Sequence, residues 1–105
     1  MDRRRSLRFR TRFDTLISAD AEEGAGVLAE ISYAGARLDD ASTQPPVGTK
    51  VVLYVFIQPI APFELPGHVA RITESGFAVM YELFDPEIRQ LVDDVSAIVA
   101  GQSER

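Results

Sequence analysis

The segment Lys50–Gln58 has the sequence KVVLYVFIQ. It is rich in β-branched and aromatic residues, which favour β-strands. Because successive side chains of a strand point to opposite faces, Val51, Leu53, Val55 and Ile57 would share one apolar face. We therefore predict a strand at this segment, with that face buried in the core of the fold.

Shorter segments on both sides have the same character and are separated by turn and loop signals. Strands are predicted at Phe13–Ser18, Val27–Ile31, Ala36–Leu38, Gly67–Ile72 and Phe77–Leu83. In one of them, Val27, Ala29 and Ile31 would share a face. Pro59, Pro62 and Pro66 interrupt the chain, so a strand near residues 63–65 would be an edge strand or a bulged one. Short strands at this spacing are typical of a small antiparallel barrel or sandwich.

The C-terminal segment changes to a helical period. Its apolar residues follow i, i+3, i+4, i+7 spacing at Ile88, Leu91, Val92, Val95, Ile98 and Val99. Pro86 suits the first helical position and Gly101 suits the residue after the last, so we predict a helix over about residues 86–100. Its apolar stripe would pack across an open end of the barrel, or it would bind a partner or a second copy.

Composition excludes several classes of protein. The chain of 105 residues has the length of a single domain. It has no Cys and one His, which rules out a thiolate zinc site and disfavours a histidine-based one. No nucleophilic Cys and no phosphate-binding loop motif are present, so we expect no enzyme activity. The pairs Asp39-Asp40 and Asp93-Asp94 are expected to be solvated charges. The net charge of −5 disfavours a general DNA- or RNA-binding protein.

The N-terminal segment Arg3–Arg12 is cationic, whereas the rest of the chain is acidic. It holds six of the ten arginines, and the residues from Phe13 onward carry 15 Asp and Glu against 5 Lys and Arg. Arg4 and Arg8 are four positions apart, which spans roughly 13–14 Å in an extended chain and allows two guanidiniums to straddle an anionic ligand. A solubilising tail, a non-specific nucleic-acid or lipid-headgroup arm, and a disordered segment explain the same charges.

The segment Glu30–Gly35 (EISYAG) has the form E-x-S-x-x-G at the end of a predicted strand. Glu30 and Ser32 would point to the same side. The carboxylate of Glu30 is suited to accept hydrogen bonds from the Watson–Crick edge of guanine, and the Ser32 hydroxyl to contact a base edge or a phosphate oxygen. Gly35 would allow the chain to bend with a positive φ.

Together, the two segments resemble the PilZ domain family, the bacterial receptor modules for cyclic di-GMP. The family signatures are R-x-x-x-R and [D/N]-x-S-x-x-G; Arg4–Arg8 fits the first, and Ser32 and Gly35 fit the second. Glu30 departs from the Asp or Asn of the family and is one methylene longer. The family motif G-x-V-x-R is matched at Gly67–Arg71, and the order of the other segments agrees.

The resemblance implies a fold and a function. The fold is an all-β core plus one helix: a six-stranded antiparallel β-barrel of the PilZ-like, split-barrel type. Residues 1–12 would be a flexible arm and residues 13–105 the barrel with its C-terminal helix. The function would be binding of cyclic di-GMP, which orders the arm and signals to a partner protein. The ligand-binding residues would be Arg4, Arg5, Arg8, Glu30, Ser32 and Gly35.

The remaining expectations concern partners and location. No catalytic residue, metal ion or cofactor is expected, and the ligand is cyclic di-GMP itself. The protein would be cytoplasmic, without DNA, RNA or membrane insertion, and a monomer or weak dimer with an effector protein as partner. The alternative is a PilZ-like interaction adaptor that binds no nucleotide, because some family members act through protein contacts alone.

Overall fold

The computed structural model describes residues 8–57, 62–82 and 86–103. Six strands and one helix follow one another along this part of the chain. Their bounds are β1 Arg8–Ala19, β2 Glu23–Ser32, β3 Gly35–Asp39, β4 Lys50–Val55, β5 Phe63–Ile72, β6 Phe77–Tyr81 and α1 Pro86–Ser103. The strands close into a barrel in the order β1-β2-β3-β6-β5-β4, and each neighbouring pair is antiparallel. The predicted fold class is therefore confirmed.

The core contains the apolar face that was predicted for β4 and its extension. Val51, Leu53, Val55 and Ile57 are all at most 3% exposed. They belong to one hydrophobic cluster with apolar residues of the other five strands and of α1. Because β4 pairs with both β1 and β5, strict alternation along it buries one face over its full length.

Strand β2 does not bury the face that we predicted. Leu28 and Ile31 are the residues with no exposed surface, whereas Val27 and Ala29 are only partly buried. The register against β3 shifts between Leu28 and Glu30, which leaves Ala29 in a β-bulge. A bulge adds one residue to one strand, so it exchanges the faces on which the following side chains lie.

Strand β1 begins at Arg8 rather than at Phe13, so it includes part of the segment assigned to the arm. Phe9 and Phe13 pack against the core, whereas Arg10 and Arg12 are exposed. The arginines thus occupy alternate positions of a strand, a period of two that the sequence analysis missed. From Thr15 onward β1 pairs with both β2 and β4, but before that residue it pairs with β2 alone.

Pro66 lies inside β5, so the predicted break between residues 65 and 67 is wrong, whereas the prediction of an edge strand near residues 63–65 is confirmed. Pro66 is opposite Val52 of β4, and pairing with β6 begins only at Gly67. The proline therefore sits in the part of β5 that has a strand on one side only. Proline is tolerated there because its missing N–H is not needed by a second neighbour.

Helix α1 packs on the barrel with the stripe that the sequence indicated. Ile88, Val92 and Val95 are buried in the common core. The helix extends to Ser103, so Gly101 lies within it and does not end it. Glycine permits the left-handed conformation of a helix end but does not require it, and in the part of the chain that the structure describes Gly48 is the glycine with positive φ.

Candidate functional site

Strand pairing brings the two predicted signatures together. Arg8 at the start of β1 pairs with Ser32 at the end of β2, and Arg10 pairs with Glu30. Because directly opposed residues in an antiparallel pair are neighbours, the last residue of R-x-x-x-R adjoins the serine of the second motif. Arg4, Arg5 and the side chain of Arg8 lie outside what the structure describes.

A shallow groove lies on the outer surface of the barrel beside this pairing. Its volume is about 180 Å³, which is below the roughly 300–1,000 Å³ of a closed small-molecule pocket. The barrel therefore provides one side of a site rather than a complete one. Residues of β2, β3, β5 and β6 line it, among them Glu30, Ser32, Gly35, Arg37, Arg71 and Met80.

Glu30 and Ser32 both line this groove. The Ser32 hydroxyl, however, is bonded within the turn. It accepts hydrogen bonds from the N–H groups of Ala34 and Gly35 and donates one to the carbonyl of Gly35, each at 3.2 Å. A hydroxyl offers one donor and two acceptor positions, so all three are used in this conformation. Ser32 therefore shapes the turn between β2 and β3.

Gly35 is required for a different reason from the one predicted. Its φ is not positive, so conformational freedom is not what the position needs. A Cβ atom at Gly35 would lie 2.1 Å from the carbonyl oxygen of Val79 on β6. The residue is glycine because the backbones of β3 and β6 approach closely where the turn enters the barrel wall.

Tyr81 at the end of β6 holds the turn from the opposite side. Its N–H donates to the carbonyl of Ala34 at 3.0 Å, and its hydroxyl donates to the carbonyl of Gly35 at 3.1 Å. Tyr81 is 8% exposed, and this burial raises the pKa of its phenol above the usual value. The turn is thus anchored by Ser32 from within and by Tyr81 from the neighbouring strand.

The burial of Tyr81 predicts a loss of stability in alkaline solution. The pKa of the phenol is raised in the folded protein, while an unfolded tyrosine ionises near pH 10. The stabilisation is therefore complete below about pH 10 and is lost as the pH rises further. Tyr81→Phe should cost about 1 kcal/mol at neutral pH and should weaken the alkaline loss. Urea unfolding between pH 8 and 11 measures both, and parallel pH profiles would contradict the assignment.

Arg37 is a residue of the groove that the sequence analysis missed. It is opposite Glu30 in the β2–β3 pairing, and its Nη1 lies 3.4 Å from Oε1 of Glu30. Its Nε and Nη2 contact the two carboxylate oxygens of Asp39 at 3.3 and 3.5 Å. Asp39 was predicted to be a solvated charge, but in the structure its carboxylate contacts Arg37. The sequence did contain a signal for this residue, because Arg37 follows the motif glycine by two positions on β3.

The turn also contacts the helix through Tyr33. The Tyr33 hydroxyl donates to Oδ1 of Asp93 at 2.5 Å, and the guanidinium of Arg89 lies 4.7 Å from the centre of the Tyr33 ring. The hydrogen bond to Asp93 is the main cause that raises the pKa of Tyr33. Asp93, like Asp39, therefore has a protein partner. We call the contacts of Tyr33 with Asp93 and Arg89 the turn–helix contact.

In residues 8–57, 62–82 and 86–103, no three His, Asp or Glu side chains are grouped so that they could hold a metal ion. The helix in those ranges is not long and apolar enough to cross a bilayer.

The family model described as the PilZ domain matches residues 2–97, which is most of the chain. No curated protein matches the chain.

Proposed function

The chain belongs to the PilZ domain family, whose members are generally receptor or adaptor modules for cyclic di-GMP and not catalysts, and from this premise we propose that it is a cyclic di-GMP receptor. The ligand would lie between the N-terminal arginines and the groove beside the β2–β3 turn. Arg4 and Arg8 would bind its phosphates and a guanine, and Arg5 would assist. Glu30, Ser32 and Gly35 would form the barrel side of the site.

The observation that carries this proposal is the pairing of Arg8 with Ser32. It supports a site made from both signatures, because the arm leaves the barrel next to the turn. Before Thr15, β1 pairs with β2 alone, so this segment has fewer backbone hydrogen bonds than the part of β1 that pairs on both sides. A segment with few such contacts has a low local stability, and a ligand that bridges it to β2 would order it.

Charge supports a dianionic ligand. Six arginines lie in Arg3–Arg12 and repel one another, whereas the remainder of the chain is strongly acidic. Two phosphates neutralise part of the arm and allow it to approach the barrel. Guanidinium groups bind phosphate oxygens through two parallel hydrogen bonds and stack on bases, so arginine suits both parts of the ligand.

The turn–helix contact is the proposed route from the ligand to a partner protein. Ser32 uses its whole hydrogen-bonding capacity inside the turn, so a ligand that bonds to this hydroxyl must displace one of those bonds. The next residue, Tyr33, is bonded to α1. A change in the turn would therefore alter how α1 is held, and α1 would present the change to the partner.

Tyr33→Phe tests the contact between turn and helix. Loss of the hydroxyl removes the bond to Asp93 but keeps the aromatic ring beneath Arg89. We expect faster amide hydrogen exchange in α1, by about threefold or more, while the barrel strands exchange at their wild-type rates. Ser96→Ala is the matched control, because that hydroxyl bonds only within the helix, to the carbonyl of Asp93. Equal exchange in α1 of all three proteins would contradict the contact.

Calorimetric titration with cyclic di-GMP tests the proposed function. In moderate salt we expect a saturable heat with cyclic di-GMP and a much weaker one with cyclic di-AMP. The affinity should fall as salt is added, because the arginine contacts are screened. The absence of heat with cyclic di-GMP would remove the proposal.

The second candidate function is an adaptor that binds no nucleotide. The observation that favours it is that both barrel-side groups already have protein partners: Ser32 bonds within the turn and Glu30 bonds to Arg37. Glu30→Asp separates the two functions. If Glu30 has disabled the site, the shorter Asp should create binding that the wild-type protein lacks; if the wild type binds, this adaptor function is excluded.

A further inference from the structure

Three arginines lie in one row across the barrel, and two of them, Arg37 and Arg71, line the groove. Glu30 pairs with Arg10 on one side and with Arg37 on the other. Ala78 of β6 then separates Arg37 from Arg71, because it pairs with both. Alanine is small, so the side chain between Arg37 and Arg71 takes up little space, and all three residues line the groove.

Three polar contacts orient Arg37 within this row. Asp39 contacts it through two nitrogens and Glu30 through the third, with distances of 3.3 to 3.5 Å. Each contact uses a different nitrogen, so one N–H remains on each of the two terminal nitrogens. The side chain is 36% exposed, which leaves these N–H groups accessible. A guanidinium that is already oriented loses little side-chain entropy when it binds a ligand.

We propose that Arg37 contacts a guanine of the ligand and determines its specificity, and that Glu30 acts mainly as the residue that positions Arg37. The inference rests on the proposed function and assigns a role within the same site. A guanidinium fork matches the O6 and N7 acceptors of guanine. Adenine presents an amino donor in place of O6, so the same fork discriminates against it.

This positioning role explains why a side chain as long as that of glutamate is needed at Glu30. In an antiparallel pair the Cβ atoms of directly opposed residues lie about 4.5–5.5 Å apart, and the carboxylate must reach the far end of the arginine. Glu30 does so with Oε1 at 3.4 Å from Nη1, while its side chain is only 23% exposed. A carboxylate engaged with Arg37 supports the guanidinium and has fewer oxygens free for the base.

Affinity measurements on single and double variants separate the two roles. Arg37→Met should weaken cyclic di-GMP binding by about tenfold or more and lower the preference over cyclic di-AMP by a similar factor. Arg37→Lys, which keeps the charge but loses the fork, should lower the preference as well. Arg12→Met is the matched control, since it removes an exposed arginine that does not line the groove; it should lower the affinity by less than about threefold and leave the preference over cyclic di-AMP unchanged.

The decisive result is the effect of Glu30→Gln in two backgrounds. If Glu30 acts through Arg37, the substitution weakens binding by about threefold in the wild type and has no effect in Arg37→Met. Equal losses in both backgrounds would show that Glu30 contacts the ligand directly and would overturn its positioning role. Wild-type affinity in Arg37→Met would overturn the inference alone, whereas absence of binding to the wild-type protein would overturn it together with the proposed function.

Discussion

Gly35→Ala is expected to lower the free energy of unfolding by about 3 kcal/mol, at the upper end of what an overpacked position costs. The added Cβ would lie 2.1 Å from the carbonyl oxygen of Val79, and backbone atoms cannot move aside as the end of a flexible side chain can. The β3–β6 pairing at Gly35 and Met80 must open to accept it. Because small domains are stable by only about 5–15 kcal/mol, this is a large loss. Urea unfolding measures it.

Gly48→Ala is the control for this prediction. Nothing lies within 4 Å of a Cβ at Gly48, but its φ is +94°, which side chains disfavour. The substitution should therefore cost about 1–2 kcal/mol through backbone strain alone. If crowding governs Gly35, its variant is the less stable of the two. The reverse order, or a Gly35→Ala protein as stable as the wild type, would contradict the close approach of β3 and β6.

Arg4→Ala and Arg8→Ala are each expected to weaken cyclic di-GMP binding by roughly ten- to a hundredfold. A hydrogen bond to a charged group contributes about 1.5–3 kcal/mol, and each arginine would make such bonds to phosphate. Stability should change little, because arginine side chains are seldom part of a hydrophobic core. Calorimetry gives the affinity, and thermal unfolding without ligand checks the stability.

Arg12→Ala is the control for these two variants, because it also removes one arginine charge. It is exposed on β1 and lies beyond the segment that pairs with the end of β2. Its loss should reduce affinity only through long-range attraction, by less than about threefold at moderate salt. If all three variants bind as tightly as the wild type, the assignment of Arg4 and Arg8 is wrong. If all three lose affinity equally, the arm acts as a non-specific cation.

The strands of the barrel were predicted correctly where the alternation of apolar residues is regular. The predictions failed where the structure of a segment depends on its neighbours in the folded sheet. Alternation along β4 was correct because both of its edges are paired and one whole face is buried. The prediction of the buried face of β2 was wrong because no turn residue marks the bulge at Ala29 in the sequence. The edge position predicted near residues 63–65 was correct, but the continuation of the strand through Pro66 was not predicted, because it depends on where β6 begins to pair.

The same limit applies to the candidate site. The signature E-x-S-x-x-G identified Glu30, Ser32 and Gly35, and the structure places all three at one groove. It did not reveal Arg37 or Tyr33, whose relevance depends on contacts with Asp39 on the same strand and Asp93 on the helix. A motif gives residue types at fixed spacing, whereas the orientation of a guanidinium or the docking of a helix depends on distant segments.

The most direct test of the central claim is amide hydrogen exchange with and without saturating cyclic di-GMP. The claim is that the ligand joins the arm to the β2–β3 turn, whose nearest described point of contact is the pairing of Arg8 with Ser32. We predict that exchange slows together, by about tenfold or more, in residues 3–12 and in residues 30–36, while β4 is unchanged. Exchange that is the same with and without the ligand in either segment would contradict the account.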